Sequence, residues 1–327
     1  MKKIIALAVA GAFAAPAMAA DISVSGEIEY VYVTGGSSDA SVSEDTNVIV
    51  PNDTMISVAA TEEVNGLTIT GTINVVDDTD DTGTGVDTGF YENDGSNLAV
   101  SGAFGTVTIG DTSGALDSVG DYTDIAPYFG GFALDGDDAQ LKYTLPTIQG
   151  LTVNLAYSPE DDAELSKADS THRDAQGASA KYSFGPGEVY YGTNTIGSSE
   201  ASAYGVKISM NGFFFAAEAG EEDGQSGGDK SGNAGVFSKA GGELEYMSYA
   251  GSYTIGDVKV GFEKHNIQEA GNETDVRDQT VMFAEYNLGS NVDIYVSTVS
   301  EQGTPYTAAG TVGQSYDQTA VGIEYNF

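Results

Sequence analysis

Cysteine is absent from the 327 residues, which excludes a disulfide scaffold, thiol chemistry and any cysteine-ligated metal. Histidine occurs only as His172 and His265. His172 lies beside Arg173 and His265 beside Lys264; neither has a convincing catalytic partner, so an esterase or protease centre has little to be built from, and no enzyme activity is expected. Basic residues are scarce: 12 Lys and Arg stand against 49 Asp and Glu, a formal charge of -37. A field of that sign repels nucleic acid and anionic solutes and draws cations towards any cleft. Beyond the N-terminal segment no apolar run approaches the ~18 residues of a membrane helix. A membrane-embedded form of this chain must therefore cross with strands. No fixed-period repeat points to a secreted solenoid. The acidic clusters Asp77, Asp78, Asp80, Asp81 and Asp135, Asp137, Asp138 lack an EF-hand-like pattern. They are expected to hold calcium only loosely, as a counterion, and no cofactor is expected.

What is present begins with Lys2 and Lys3, an apolar run from Ile4 to Ala15, and the small-residue site Ala17-Met18-Ala19. This pattern predicts a secretory signal peptide over 1–19 and a mature protein over 20–327. In the mature part, alternation with a period of two recurs. Leu67, Ile69, Gly71, Ile73 and Val75 line one face against Thr68, Thr70, Thr72 and Asn74 on the other. Ile22 to Tyr32, Leu151 to Tyr157, Tyr204 to Met210 and Val321 to Phe327 repeat the pattern. Each reads as a strand with two unlike faces. Between Glu243 and Ile255 the apolar pattern shifts from one face to the other, which predicts a bulge there.

The connectors carry more information than the strands. Tight turns at Asn65-Gly66, Phe104-Gly105, Gln149-Gly150, Gly185-Pro186-Gly187, Asn211-Gly212, Gly256-Asp257 and Gly289-Ser290-Asn291 alternate with longer segments, among them Gly35 to Asn52 and Gln268 to Asp278. This predicts sixteen strands joined by seven short turns at one end and eight mostly longer loops at the other. Such sorting is the pattern of an all-β, 16-stranded antiparallel transmembrane β-barrel. Closure satisfies every backbone group inside lipid, and a barrel of this size holds water. Phe104, Tyr143, Phe184, Phe213, Phe215, Tyr253, Tyr325 and Phe327 gather near the turn ends, as an interfacial girdle requires. From Gly110 to Asp138 alternation stops and Gly, Asp and aromatic residues take over. A segment that long without regular structure reads as a functional loop, here the third loop, folded inwards.

Tyr122-Thr123-Asp124-Ile125-Ala126-Pro127-Tyr128-Phe129-Gly130-Gly131 resembles the constriction-loop motif of general bacterial porins. Upstream, Ser101 to Gly105 with Gly110-Asp111 resembles the strand entering that loop in the alphaproteobacterial branch, and Tyr325-Asn326-Phe327 resembles the terminal-Phe signal read by the outer-membrane assembly machinery. The resemblance implies a homotrimer in the outer membrane of a Gram-negative bacterium, set in lipid and lipopolysaccharide and passing ions and small hydrophilic solutes. Two positions depart from the family: Asp111 where a basic residue is common, and Tyr128 where the loop usually carries Glu. Only Asp124 among the loop acids carries across directly.

Alternation turns Lys142, Lys181, Lys207 and Lys259 inwards, where Asp111, Asp117, Asp121 and Asp124 of the loop would face them across a narrowed pore. Rings of acid favour cations, and a cation-selective diffusion channel is expected. The lysines could instead pair with carboxylates of neighbouring strands, and the acids could cap turns of their own loop. A sugar-specific channel is the other reading, with Tyr122, Tyr128, Phe129 and Phe132 beginning an aromatic track.

Overall fold

The computed structural model describes residues 20–37, 46–76, 92–129, 139–159, 175–196, 199–224, 242–269, 272–289, 291–303, 306–307, 310–311 and 314–327. The segment 1–19, His172, Phe132 and both acidic clusters fall outside them.

Alternating segments become strands because each can turn its apolar side chains to lipid and its polar ones to water. In chain order these are β1 (Asp21–Ser37), β2 (Thr46–Val64), β3 (Leu67–Val76), β4 (Glu92–Gly102), β5 (Gly105–Thr112), β6 (Ala139–Thr144), β7 (Leu151–Ser158) and β8 (Ala175–Phe184). The series continues with β9 (Gly187–Ile196), β10 (Ser199–Met210), β11 (Phe213–Gly224), β12 (Gly242–Ile255), β13 (Val258–Glu269), β14 (Asn272–Gly289) and β15 (Val292–Gly303). A short hairpin, β16 (Tyr306–Thr307) and β17 (Gly310–Thr311), precedes β18 (Gln314–Asn326). Apart from that hairpin, sixteen strands form one closed antiparallel barrel in which β18 lies between β15 and β1.

The seam is tight at its lower end. Gly26 and Phe327 exchange both backbone hydrogen bonds at 3.0 Å, and the Phe327 ring covers Gly26 so closely that a Cβ there would lie 2.6 Å from it. Closure leaves no edge to face lipid. Tight turns hold left-handed backbone where the sequence supplies Asn and Gly, as at Asn65 (φ 54°) and Gly66 (φ 81°), the geometry that matches strand twist.

Exposed apolar side chains fix the outer face: Ile22, Val24, Ile28, Tyr30 and Tyr32 on β1, and Phe213 and Phe215 on β11. Phe104, Phe184, Phe213, Phe215, Tyr325 and Phe327 of the girdle are exposed. Tyr253 packs on Phe213 with ring centroids 4.3 Å apart, and Tyr143 donates its hydroxyl to the carbonyl of Phe104 at 2.6 Å.

Three readings of the sequence change. No bulge interrupts β12, whose register with β11 and β13 is continuous. Leu244, Tyr246 and Ala250 are buried on the lumen side while Met247 and Tyr249 are exposed outside. Both faces are apolar there, so the pattern mimics a change of face. The connector placed at Gly35 to Asn52 is shorter, because the ladder pairs Tyr30 with Pro51 and Glu29 with Asn52. Pro51 lies beyond the point where pairing of β2 with β3 ends, at Met55, so its missing N–H costs no bond on that side. The loop placed at Gln268 to Asp278 is mostly ladder with irregular register near Ile267 and Gln268.

Candidate functional site: a loop braced inside the barrel

After β5 the chain turns into the lumen. One helical turn forms, with the N–H groups of Ser118 and Gly120 donating to the carbonyls of Gly114 and Leu116, both at 3.1 Å. This turn places Leu116 and Val119 on one side, followed by Tyr122, and all three are buried. They pack on Tyr190, Ala203, Ala216, Leu244, Tyr246, Ala250 and Ile267, inward-facing residues of β9 to β13. The wall is hollowed to receive them. A Cβ on Gly192 would lie 2.6 Å from Leu116 Cδ1, and one on Gly177 would lie 3.0 Å from Ala115 Cβ. The lumen is therefore not uniformly polar, as the strand pattern predicts. It carries an apolar patch that the loop covers, for the usual gain in free energy on removing apolar surface from water.

Polar anchors fix the loop's height. Glu218, buried on β11, accepts the Thr123 N–H at 2.8 Å and hydroxyl at 2.7 Å, and the Tyr190 hydroxyl at 2.6 Å. Glu263, buried on β13, accepts the N–H groups of Ile125 and Ala126. Further along, Ser297 donates to the carbonyl of Tyr128 at 2.9 Å. Tyr128 and Phe129 meet edge to face at 4.6 Å and pack against Val31, Val33, Tyr295 and Ala320 on the opposite wall. Next to that contact, buried Glu29 accepts from the Tyr295 hydroxyl and from Asn52. The loop thus spans the lumen and is bound at both sides.

His265, which has no partner legible in the sequence, is fully buried between Ser248 (2.9 Å from Nδ1) and Glu263 (3.1 Å from Nε2). The order Ser–His–Glu resembles a catalytic relay only on paper. Ser248 is 1% exposed, and Glu263 already accepts the loop amides. The trio is a brace under the loop.

The residues picked from sequence are distributed unevenly. Asp111 belongs to β5, its carboxylate lying where a Cβ of Gly95 would be, 2.3 Å from Oδ2. Asp117 is half-buried near Lys142, whose ammonium donates to the hydroxyls of Ser113 (2.8 Å) and Ser118 (3.2 Å). Burial pushes the Asp117 carboxyl above its ordinary range and Lys142 pulls it part of the way back. Asp121, with φ 64°, and Asp124 are exposed on the loop. Asp121 borders a niche that includes Lys181 and Lys207. Asp124 stands between a cavity of about 640 Å³ that Lys259 also lines and one of about 430 Å³ lined by Asn52, Tyr128 and Gln318.

The lysines largely take local partners. Lys207 pairs with Glu188 of β9 at 2.7 Å and lies 4.1 Å above the Tyr122 ring. Lys259 is 3.4 Å from Glu285 and donates to the carbonyl of Ile125 at 3.2 Å. Burial raises the Tyr122 phenol, helped by neighbouring Glu188 and by their hydrogen bond. Glu218, Glu263 and Glu29, the wall acids that hold loop and seam, escaped sequence reasoning. The available signal was a lone carboxylate among small residues, as in Ala217-Glu218-Ala219.

Among the described residues no group of three or more His, Asp or Glu is arranged to hold a metal. The geometry suits passage of solute beside a fixed loop, with charge along the way and no reacting centre.

Comparison with known proteins agrees with this architecture. A family model described as Gram-negative porin matches residues 6–304. Outer membrane protein U of Vibrio parahaemolyticus is 28% identical over 275 residues, covering 74% of this chain and 75% of that protein. Among solved structures, the anion-selective porin from Comamonas acidovorans superposes with a TM-score of 0.72 at 16% identity, covering 94% of this chain and 100% of that one. OmpF of Salmonella typhi, in complex with daunomycin, gives 0.71 at 17% identity, covering 94% and 98%. A mutant of the Rh. blastica porin gives 0.67 at 18% identity, covering 94% and 100%.

Proposed function

We propose that this chain, which belongs to the Gram-negative porin family and is a non-enzymatic outer-membrane channel, is a general diffusion pore that favours cations over anions. One observation carries the selectivity: Lys207 and Lys259 stand beside wall carboxylates, and Asp121 and Asp124 are exposed on the loop of a strongly acidic chain. Lys207 and Lys259 are matched by Glu188 and Glu285, and Lys142 is held by loop hydroxyls. In a chain whose acids outnumber its bases fourfold, the field along the lumen is acidic. Asp111, set in the strand before the loop, adds to the field from the wall.

Tyr122 is buried, and Tyr128 and Phe129 pack on the wall, so these aromatics are spent on holding the loop. That favours general diffusion over a sugar-specific track. Planar bilayers with purified protein test the selectivity. Under a KCl gradient the zero-current potential is expected to have the sign of potassium preference, and a chloride sign would overturn it.

The remaining assignments follow the family. The segment 1–19 serves export, and the barrel assembles as a homotrimer amid outer-membrane lipid and lipopolysaccharide. Phe327, at the end of the strand that closes the seam, serves as the signal for the assembly machinery. The motif at residues 101–111 supports placing the chain with the alphaproteobacterial branch.

A further inference from the structure

One niche of the lumen departs from the pattern of neutralised lysines. It occupies about 330 Å³ between loop and wall, and its lining includes Lys181 of β8, Lys207 of β10, Asp121 and Tyr122 of the loop, and Phe214 of β11. Within it the Lys207 charge is consumed. Its partner Glu188 also accepts from Ser183 at 2.9 Å and from Tyr122 at 3.3 Å, so that carboxylate has little acceptor capacity left. Among the described residues Lys181 makes no ion pair or hydrogen bond, although its charge is felt by Glu188. A half-buried ammonium directed into a pore niche is an anchor for a carboxylate. On the loop side Asp121 is exposed, and its left-handed backbone fixes the direction in which the side chain leaves. A carboxylate offers about four acceptor sites, so Asp121 can take a further donor beside the interaction it already has. Ile125 and Phe214, both half-buried, give the niche its apolar lining.

We infer that this niche is a binding subsite for small zwitterions with an apolar side chain, of the free α-amino acid class. Lys181 takes the carboxylate, Asp121 the ammonium, and the Ile125–Phe214 floor the side chain. The overall charge of the chain sharpens this choice. A bare carboxylate is repelled by the field of the acidic chain before it reaches Lys181, and a bare ammonium is repelled by Lys181 itself. A molecule carrying both charges in the matching order meets neither penalty.

The inference rests on the open-pore reading, and the experiment separates the two. Purified protein in planar bilayers in symmetric KCl at neutral pH is titrated with L-leucine, L-leucinamide and N-acetyl-L-leucine, each reduction of current being referred to that variant's own KCl conductance. L-leucine is expected to reduce the current saturably, and the two singly charged derivatives to act about tenfold more weakly, the loss expected for one charged hydrogen bond. Lys181→Met is expected to weaken L-leucine about tenfold. Asp121→Asn is expected to weaken L-leucine while strengthening N-acetyl-L-leucine, a crossing that general damage to the loop would not produce. KCl current without a leucine-dependent reduction, or equal action of the three compounds, overturns the niche and leaves the channel standing. Unchanged titrations in both variants likewise overturn it. Absence of any KCl current overturns the channel and the niche together.

Discussion

The carboxylate of Glu263 accepts the backbone N–H of Ile125 at 2.5 Å, and the neighbouring N–H of Ala126 closes on the same oxygen. Residues 138 positions apart in the chain are thereby joined in direct contact, by an acceptor that cannot be replaced by solvent while it stays buried. Glu263→Ala would leave two loop donors and His265 without it, at about 1–3 kcal/mol for each unsatisfied group. The expected result is a loop that detaches while the barrel persists: faster hydrogen exchange at Ile125 and Ala126, noisier open-channel current and ordinary heat-resistant migration. Glu263→Gln, which keeps one acceptor, should give a milder form of the same change. Exchange rates equal to wild type in both variants would show that the loop is held elsewhere.

The recess at Gly192 makes a separate prediction about packing. Gly192→Val is expected to displace Leu116, because even a Cβ would approach its Cδ1 to 2.6 Å and its Cα to 3.3 Å. Leu116→Ala removes the same contact from the other partner, and for a fully buried leucine such truncation costs about 2–5 kcal/mol. Combining Gly192→Ala with Leu116→Ala should restore part of the loss, since the added methyl fills the space vacated. A double-mutant cycle on thermal melting measures the coupling. Strict additivity would mean that the two sites do not touch.

Wall carboxylates set how much positive charge the lumen exposes. Glu188→Gln leaves Lys207, now 2.7 Å from its partner, without a counter-charge, and the ratio of potassium to chloride permeability is expected to fall. One unit charge acting at ~6 Å through water-like surroundings is worth ~0.7 kcal/mol, so the change should be about threefold. Zero-current potentials of wild type and variant, recorded in the same gradient, decide it.

Asp117 introduces a dependence on pH. Burial, its largest influence, raises the folded-state pKa above the usual value of 3.8, with Lys142 opposing. The folded loop therefore keeps this proton at a pH where the unfolded chain has lost it, and stability falls as pH rises from about the ordinary carboxylate value through the raised one. Well below both values the group has no effect. Asp117→Asn cannot ionise and should melt at a temperature that gains on wild type as pH rises through that window. Parallel melting curves from pH 3 to 7 would exclude a raised pKa.

Strands, turns and the closed wall were legible because lipid and water impose opposite demands on alternate side chains, and local order records that demand directly. Ile22, Val24 and Ile28 face outward as their spacing predicts, and Asn65-Gly66 turns where it must. The inward loop was legible too, as the place where alternation ends at Gly110. Which wall residues meet it was not. Leu244 and Tyr246 look like a slipped register until Leu116 and Tyr122 are seen covering them, and Lys207 looks like a pore charge until Glu188 is found beside it.

The linear order of residues by itself determined that this chain closes into a barrel with one long acidic insertion, since period and turn chemistry act between neighbours. Only the tertiary structure decided which wall carboxylates hold that insertion and which pair with the lumen lysines. Those contacts join residues as distant in the chain as Ile125 and Glu263, and no local pattern encodes a contact between a loop and a strand so far along the sequence.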